Sequence, residues 1–355
     1  LIFPESKTFY AAIPATGPIT SEVGVITYDG SVSKTVIDSV VGCSDCIIGL
    51  DVDEDPVTNV IHIAYLKAPT SPSTSGAVYS IYYKRFGQTP LSSTLALPSG
   101  FINSGSSIAI SYRGPSIAAV TTSGVYYTRF NSATNSWLPW FLVEPPPTNI
   151  FVTPPIDLEV KNNGDIFIAY RPVVLLTGIA SIRILSFTPY NPASVNSYVV
   201  ESSNQITGTE ISTELDFNEA LHVAYVKGSE LRYANSYFIN PITLFNGLSS
   251  VLVEMADLNG LMLILFTTAN PAGVFHNLEG GVYFPSIPIF APITTIETGF
   301  SSPFALDWKV TPTTVNLGAA YDRLGQLTLA IPVQGSWYKA QLMGVILLWD
   351  VELVM

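Results

Sequence analysis

Short runs rich in Val, Ile, Tyr, Phe and Thr alternate along the whole chain with clusters of Gly, Pro, Asn and Ser. No stretch keeps a helical period for more than two turns, so the pattern predicts an all-β protein. Self-comparison brings out a recurring four-strand unit. Its second strand falls at 61–65, 116–120, 166–170, 221–225, 262–266 and 317–321, and in most copies ends on an aromatic residue. The terminal residues Tyr65, Val120, Tyr170, Tyr225, Phe266 and Tyr321 are spaced 55, 50, 55, 41 and 55 positions apart. Third strands follow at 81–86, 125–130, 182–187, 231–234, 281–284 and 326–331, carrying Tyr or Arg in most copies.

First strands tend to end in an apolar residue followed by Asp: Leu50-Asp51, Ile156-Asp157, Leu215-Asp216, Ala256-Asp257, Leu306-Asp307 and Trp349-Asp350. The last of these has no second strand after it, and segments 8–13, 23–28 and 34–41 can supply the missing three. Joining the two chain ends in this way makes seven units of about 51 residues, close to the length of a propeller blade. The expected architecture is therefore a single β-propeller domain over 1–355, most simply of seven four-stranded blades. Residues 1–42 with 343–355 form the closing blade and 43–342 the six others. Six blades with free tails is the alternative. Radial repetition leaves only short protected edges, which suits a chain with few charged strand residues.

The stretches Asn162-Asn163-Gly164-Asp165-Ile166-Phe167-Ile168-Ala169-Tyr170 and Leu221-His222-Val223-Ala224-Tyr225, the latter followed by Leu231-Arg232-Tyr233-Ala234, resemble the degenerate repeats of secreted and surface β-propellers. The likeness runs over roughly the whole chain at low stringency. It implies the fold rather than one activity, because such propellers include lectins, adhesins and sialidase-like enzymes. The sialidase Asp-box, Ser-x-Asp-x-Gly-x-Thr-Trp, is absent from every copy, which weakens the enzymatic branch.

Composition narrows the partners. Only 12% of the 355 residues are charged and 48% are hydrophobic, which excludes disorder. Fifteen Lys and Arg against 27 Asp and Glu give a net charge of −12. That balance argues against a phosphate-binding surface, so nucleic acid is not expected as a partner. The longest apolar runs, such as 261–266 and 345–349, fall far short of the roughly 18 residues of a membrane span, so no membrane insertion is expected. The chain starts at Leu1 rather than Met, which reads as a processed end left by removal of a secretion signal. Cys43 and Cys46 are the only cysteines; with no βαβ pattern and no second pair nearby, they read as a loop disulfide or two idle thiols. No Asn-x-Ser/Thr acceptor occurs.

In a propeller the first-to-second and third-to-fourth turns share one face, and the second-to-third loops share the other. The Asp residues that close the first strands should ring the former face, where the plain reading is that they accept turn amides. On the other face, Lys67, Arg171, Lys227 and Arg323 each fall one or two residues after the second-strand aromatic. They form the candidate ligand-binding set: Arg forks onto carboxylates, and Tyr65, Tyr170, Tyr225 and Tyr321 offer stacking surfaces or, more simply, packing between blades. Asp51, Asp53 and Asp55 have the alternate spacing of a calcium loop, making calcium the one candidate cofactor. The stretch departs from the EF-hand pattern, with Pro56 in place of the sharp-turn Gly and His62 in place of the bidentate Glu. His62 and His222 share a repeat position and read as strand residues with a backbone or hydroxyl partner. No nucleophile, zinc or phosphate-loop motif is present, although a carboxylate pair drawn from two blades would leave no sequence signature.

The low charge implies an exterior buried against other subunits or one adapted to acid, and both point outside the cytoplasm. The Ser/Thr/Pro/Tyr-rich, Lys-poor texture resembles surface and virion proteins of archaea. The leading expectation is a non-catalytic extracellular, cell-surface or virion-surface propeller that binds a glycan or protein receptor through its second-to-third-strand loops. The alternatives are a structural subunit of a coat, virion or filament, and a propeller-type carbohydrate-active enzyme.

Overall fold

A computed structural model describes residues 7–15, 20–28, 32–43, 46–55, 58, 60–68, 79–86, 91–97, 102, 107–146, 155–174, 177–206, 211–236, 240–257, 261–269, 276–285, 289–300, 319–322, 326–333, 336–344 and 350–354, with side chains for a smaller set. The described residues are mostly strand, joined by turns, with a short 3-10 segment at Pro192–Ser194. No described helix is long and apolar enough to cross a membrane.

Seven antiparallel sheets follow one another along the chain. Sheet I sets the C-terminal strand Asp350–Val354 beside Lys7–Ala15, then Thr20–Tyr28 and Val32–Val41, with Thr8 opposite Val354 and Ala12 opposite Asp350. Sheet II runs Ile47–Asp55, Val60–Lys67, Ser80–Phe86 and Leu91–Leu95. Sheet III contains Ile108–Ser111, Ser116–Thr121 and Gly124–Asn131, the last pairing both Ser136–Trp137 and Phe141–Glu144. Sheet IV contains Ile156–Val160, Ile166–Tyr170 and Ile179–Phe187, the last pairing both Val173–Val174 and Asn196–Ser203. Sheet V runs Ile211–Leu215, Leu221–Lys227, Glu230–Asn235 and Ile242–Asn246. Sheet VI runs Leu248–Asp257, Met262–Ala269, His276–Phe284 and Ile289–Phe300, and sheet VII holds Ala319–Asp322, Gln326–Val333 and Ser336–Gly344.

Two compact units are distinguished. One comprises Leu1–Leu50, Leu66–Val78 and Glu254–Met355, and the other Asp51–Tyr65 and Tyr79–Val253. The first unit carries the Cys43–Cys46 disulfide between sheets I and II, where the Cys46 carbonyl accepts the Ala68 amide at 2.7 Å.

In the second unit the sequence pattern has a direct physical reading. Ile166, Ile168 and Tyr170 of sheet IV pack against Ala118, Val120 and Tyr127 of sheet III. Ala169 and Ile182, on the other face of the same sheet, pack against Ile211, Val223 and Tyr225 of sheet V. Successive residues of a strand point to opposite faces, so a sheet covered on both sides needs an unbroken apolar run rather than alternation. This explains why the second strands read as Ile-Phe-Ile-Ala-Tyr and Leu-His-Val-Ala-Tyr.

Candidate functional site

Of the expected basic residues, Lys67 and Lys227 belong to a repeated arrangement of charges and Arg171 does not. Lys67, at the end of the second strand of sheet II, pairs with Asp38 on the fourth strand of sheet I at 2.6 Å. Lys227 of sheet V pairs with Glu201 on the fourth strand of sheet IV at 2.5 Å, and Arg232 reaches the same carboxylate at 3.2 Å. The Tyr225 hydroxyl donates to Glu201 at 2.6 Å. Sheet IV repeats the device against sheet III: Arg183 pairs with Glu144 at 2.5 Å, and the Tyr170 hydroxyl donates to the same carboxylate. In each case an acid on a fourth strand ties down the second strand, and often the third strand, of the following sheet. Burial pushes the Tyr170 and Tyr225 hydroxyls up, and the adjoining Glu144 and Glu201 carboxylates add to it. Burial likewise pushes the Glu201 carboxyl up, but hydrogen bonds from Lys227 and Tyr225 and the charges of Arg232 and Lys227 outweigh it and hold the group below its ordinary value.

Arg171 stands apart. Arg183 lies opposite Tyr170 as Arg232 lies opposite Tyr225, so it is the counterpart of Arg232, and Arg171 stands one residue after Tyr170, where sheets II and V carry the buried Leu66 and Val226. Its guanidinium is half-buried, has no acidic partner among the described residues, and makes only a long 3.5 Å contact from Nη1 to the Ile206 carbonyl. Its Nε is hidden from solvent without any acceptor. Burial alone pulls its pKa below the ordinary value. Arg323 and the Tyr321 side chain lie outside the described residues. Tyr65, Tyr170 and Tyr225 are fully buried, which leaves them no open face for stacking a ligand.

The aspartates lie differently from the expected ring of turn residues. Asp51 and Asp53 sit inside the strand Ile47–Asp55, and Asp157 is the second residue of Ile156–Val160; Asp216 occupies a turn, and Asp307 lies outside the described residues. Asp51 Oδ2 accepts the Ile110 amide at 2.5 Å and Asp53 Oδ2 the Tyr112 amide at 2.7 Å. Asp157 Oδ2 accepts the Thr213 amide at 2.6 Å. Outward-facing amides of an edge strand recur every second residue, and carboxylates spaced by two on the preceding sheet match them. Asp55 accepts the Thr58 hydroxyl at 2.6 Å. Among the described residues no group of three or more His, Cys, Asp or Glu gathers in a way that could hold a metal ion, so Asp51, Asp53 and Asp55 do not converge as a calcium cage. Burial pushes the Glu159 carboxyl well up, reinforced by the charges of Glu214, Asp157 and Asp53 and opposed by Arg113.

His62 donates to or accepts from the Tyr83 hydroxyl at 2.7 Å, and His222 bonds Tyr233 in the same way. Ser116 fills the equivalent place beneath Tyr127 at 2.9 Å. A buried phenol needs a partner, and these residues supply it. His222 Nε2 also faces Asp216 Oδ2 at 3.4 Å; burial lowers its pKa despite that carboxylate.

Reading the sequence missed the fourth-strand acids Asp38, Glu144 and Glu201. Their signal is an acidic residue 24 to 29 positions ahead of the tyrosine or lysine it holds.

No known protein family matches the chain, and no curated protein matches it. Similarity is found among solved structures. A provisionally assigned 6-phosphogluconolactonase from Bacteroides uniformis superimposes with a TM-score of 0.59 at 9% identity, covering 98% of this chain and 99% of that one. A protein from Lactobacillus plantarum gives 0.51 at 8% identity, covering 99% and 100%. A puromycin hydrolase mutant gives 0.52 at 10% identity, covering 95% of this chain and 54% of its own. At these identities the likeness is one of fold, and the fold is all-β and propeller-like.

Proposed function

We propose that the seven sheets are the blades of one β-propeller closed through the two chain ends, and that the protein is a non-catalytic extracellular or virion-surface binding module. It recognises an acidic group on a glycan or protein receptor at the second-to-third-strand loops, through Arg171. The observation that carries this reading is the half-buried Arg171 guanidinium, which has no acidic partner among the described residues, whereas Lys67 and Lys227 at the ends of the other second strands are paired. A half-buried cation without a counter-charge is costly to the folded protein alone, and a ligand carboxylate supplies the missing forked partner. The Cys43–Cys46 disulfide supports an oxidising compartment.

The test is an array of acidic and neutral glycans at pH 4 and pH 7, with light scattering on the same sample. Saturable binding of acidic glycans that is lost in Arg171→Ala and weakened in Arg171→Lys is the expected result. Binding that survives Arg171→Ala unchanged would remove the reading. A propeller-type carbohydrate-active enzyme is the second reading, favoured by the lactonase name of one solved structure of this fold; turnover of a lactone or glycoside reporter would decide for it. A coat subunit is favoured by the exposed Tyr198 and Val199 on the fourth strand of sheet IV, and assembly into heavy particles would decide for that.

A further inference from the structure

At the opposite end of the strands from Arg171, the first-to-second turns of sheets III and IV and the end of a third strand enclose an open cavity of about 220 Å3. Its lining includes Arg113, Gly114, Tyr127, Arg129, Lys161 and Asn162, and no acidic side chain among the described residues. Arg113 is held in place: Nε donates to the Tyr112 hydroxyl at 3.1 Å and Nη1 to the Val160 carbonyl at 2.7 Å. Its nearest carboxylate, Glu219, is 3.8 Å away and already accepts the Asn162 amide at 2.7 Å. Arg129 and Lys161 have no acidic partner among the described residues. The Arg129 guanidinium lies directly over Gly114, where a Cβ would meet its Nε at 3.2 Å. Gly114 also has φ +59°, so both its backbone and the close approach favour glycine. Lys161 Nζ sits 4.9 Å from the centre of the Phe167 ring, an aromatic face rather than a counter-ion.

Arg113 and Arg129 thus meet at one cavity in a protein whose acids outnumber its bases; the Glu219 and Glu159 carboxylates act on Arg113, and Arg129 has no acidic partner among the described residues. Like charges brought together repel, and an anion placed among them reverses the sign of that interaction. We propose that this cavity binds a carboxylate- or sulfate-bearing sugar unit. The oxyanion lies between Arg113 and Arg129, and the Asn162 side-chain amide, which offers both donor and acceptor, pairs with a ring hydroxyl. The volume is below the roughly 300 Å3 at which pockets for drug-sized ligands begin, so the cavity takes one sugar unit rather than a chain. The proposal does not rest on the Arg171 reading.

The experiment is calorimetric titration of the full chain at low ionic strength with glucuronate, inorganic sulfate and glucose. Saturable binding of glucuronate or sulfate, with none of glucose, is expected. Affinity should fall by about tenfold or more in Arg129→Gln. Asn162→Asp, which places a like charge beside the ligand without touching the core, should weaken binding similarly, and Arg171→Ala should leave it intact. A preference for glucuronate identifies a uronate as the source and equal binding of sulfate a sulfate ester; both support the proposal. No saturation with either anion, equal binding of glucose, or affinity retained in both cavity variants overturns it. Loss in Arg171→Ala alone also overturns it, and moves anion recognition to the other end of the strands.

Discussion

Replacing Glu201 by Gln should destabilise the protein in a way that disappears in acid. The Glu201 carboxylate holds Lys227 at 2.5 Å, Arg232 at 3.2 Å and the Tyr225 hydroxyl at 2.6 Å, so one side chain joins sheet IV to two strands of sheet V. Removing one partner of a well-buried ion pair costs about 3–5 kcal/mol, because the opposite charge is left stranded. Here the three side chains are 15%, 22% and 14% exposed, and solvent screening brings the expectation down to about 2–3 kcal/mol. In a chain of this length that is a fall of about 3–4 °C in Tm. The Glu201 carboxyl is held below its ordinary value of 4.5, so the folded state binds its proton less readily than the unfolded chain does. Its stabilisation is therefore complete above about pH 4.5 and is lost as pH falls through the folded value. Melting curves of the native protein and Glu201→Gln at pH 7 and pH 3 should differ widely at the first and converge at the second. Tyr225→Phe, which removes one hydrogen bond and no charge, should cost only about 1 kcal/mol. Equal stability of Glu201→Gln and the native chain at pH 7, or a gap of the same size at both pH values, would show that the carboxylate does not join the sheets as argued.

Three further outcomes follow from the same structure. His222 is buried with a lowered pKa, so the unfolded chain takes up its proton first; stability should decline as pH drops below about 6.5, and His222→Gln should flatten that part of a Tm-against-pH curve. Gly124 has φ +138°, and a Cβ there would lie 2.5 Å from the Glu144 carbonyl oxygen, so Gly124→Ala should lower the denaturant midpoint by more than the roughly 1 kcal/mol of an unstrained exchange. The Cys43–Cys46 bond closes a very short loop, so reduction should cost about 2 kcal/mol, read as a drop in Tm with a phosphine reductant.

The second strands were legible because sheets buried on both faces leave an unbroken apolar run with a fixed Tyr, as in 166–170 and 221–225. Sheet III shows the limit of that reading. Ala118 lies opposite Tyr127 as Ala224 lies opposite Tyr233, so Ser116, not Ile117, occupies the place of His222, and the copy is one residue out of step with its apolar run. A one-residue slip reverses which face each side chain serves, and only strand pairing reveals it. Asp51 and Asp157 resemble turn residues because Asp usually is one; that they bond the next sheet's edge depends on a neighbour more than fifty residues away. The same distance hides the ion pairs. Lys227 looks available until Glu201 is seen beside it, and Arg113 and Arg129 of the cavity come from different strands with nothing in the sequence to group them.

The pairing of Thr8 with Val354 carries a consequence for biosynthesis. The two residues are 346 positions apart, so Lys7–Ala15 leaves the ribosome well before its partner Asp350–Val354 and must wait for it. At about 5–20 residues per second that wait lasts roughly 17–70 s. Throughout it, the edge of Lys7–Ala15 that will receive Asp350–Val354 has unpaired backbone amides and carbonyls, and the C-terminal strand of any finished chain nearby fits it as well as its own does. Nascent chains crowded on one message are therefore the setting in which strand exchange between copies competes with closure. A chaperone that shields this edge, or slow initiation that spaces the ribosomes, would favour the monomeric product.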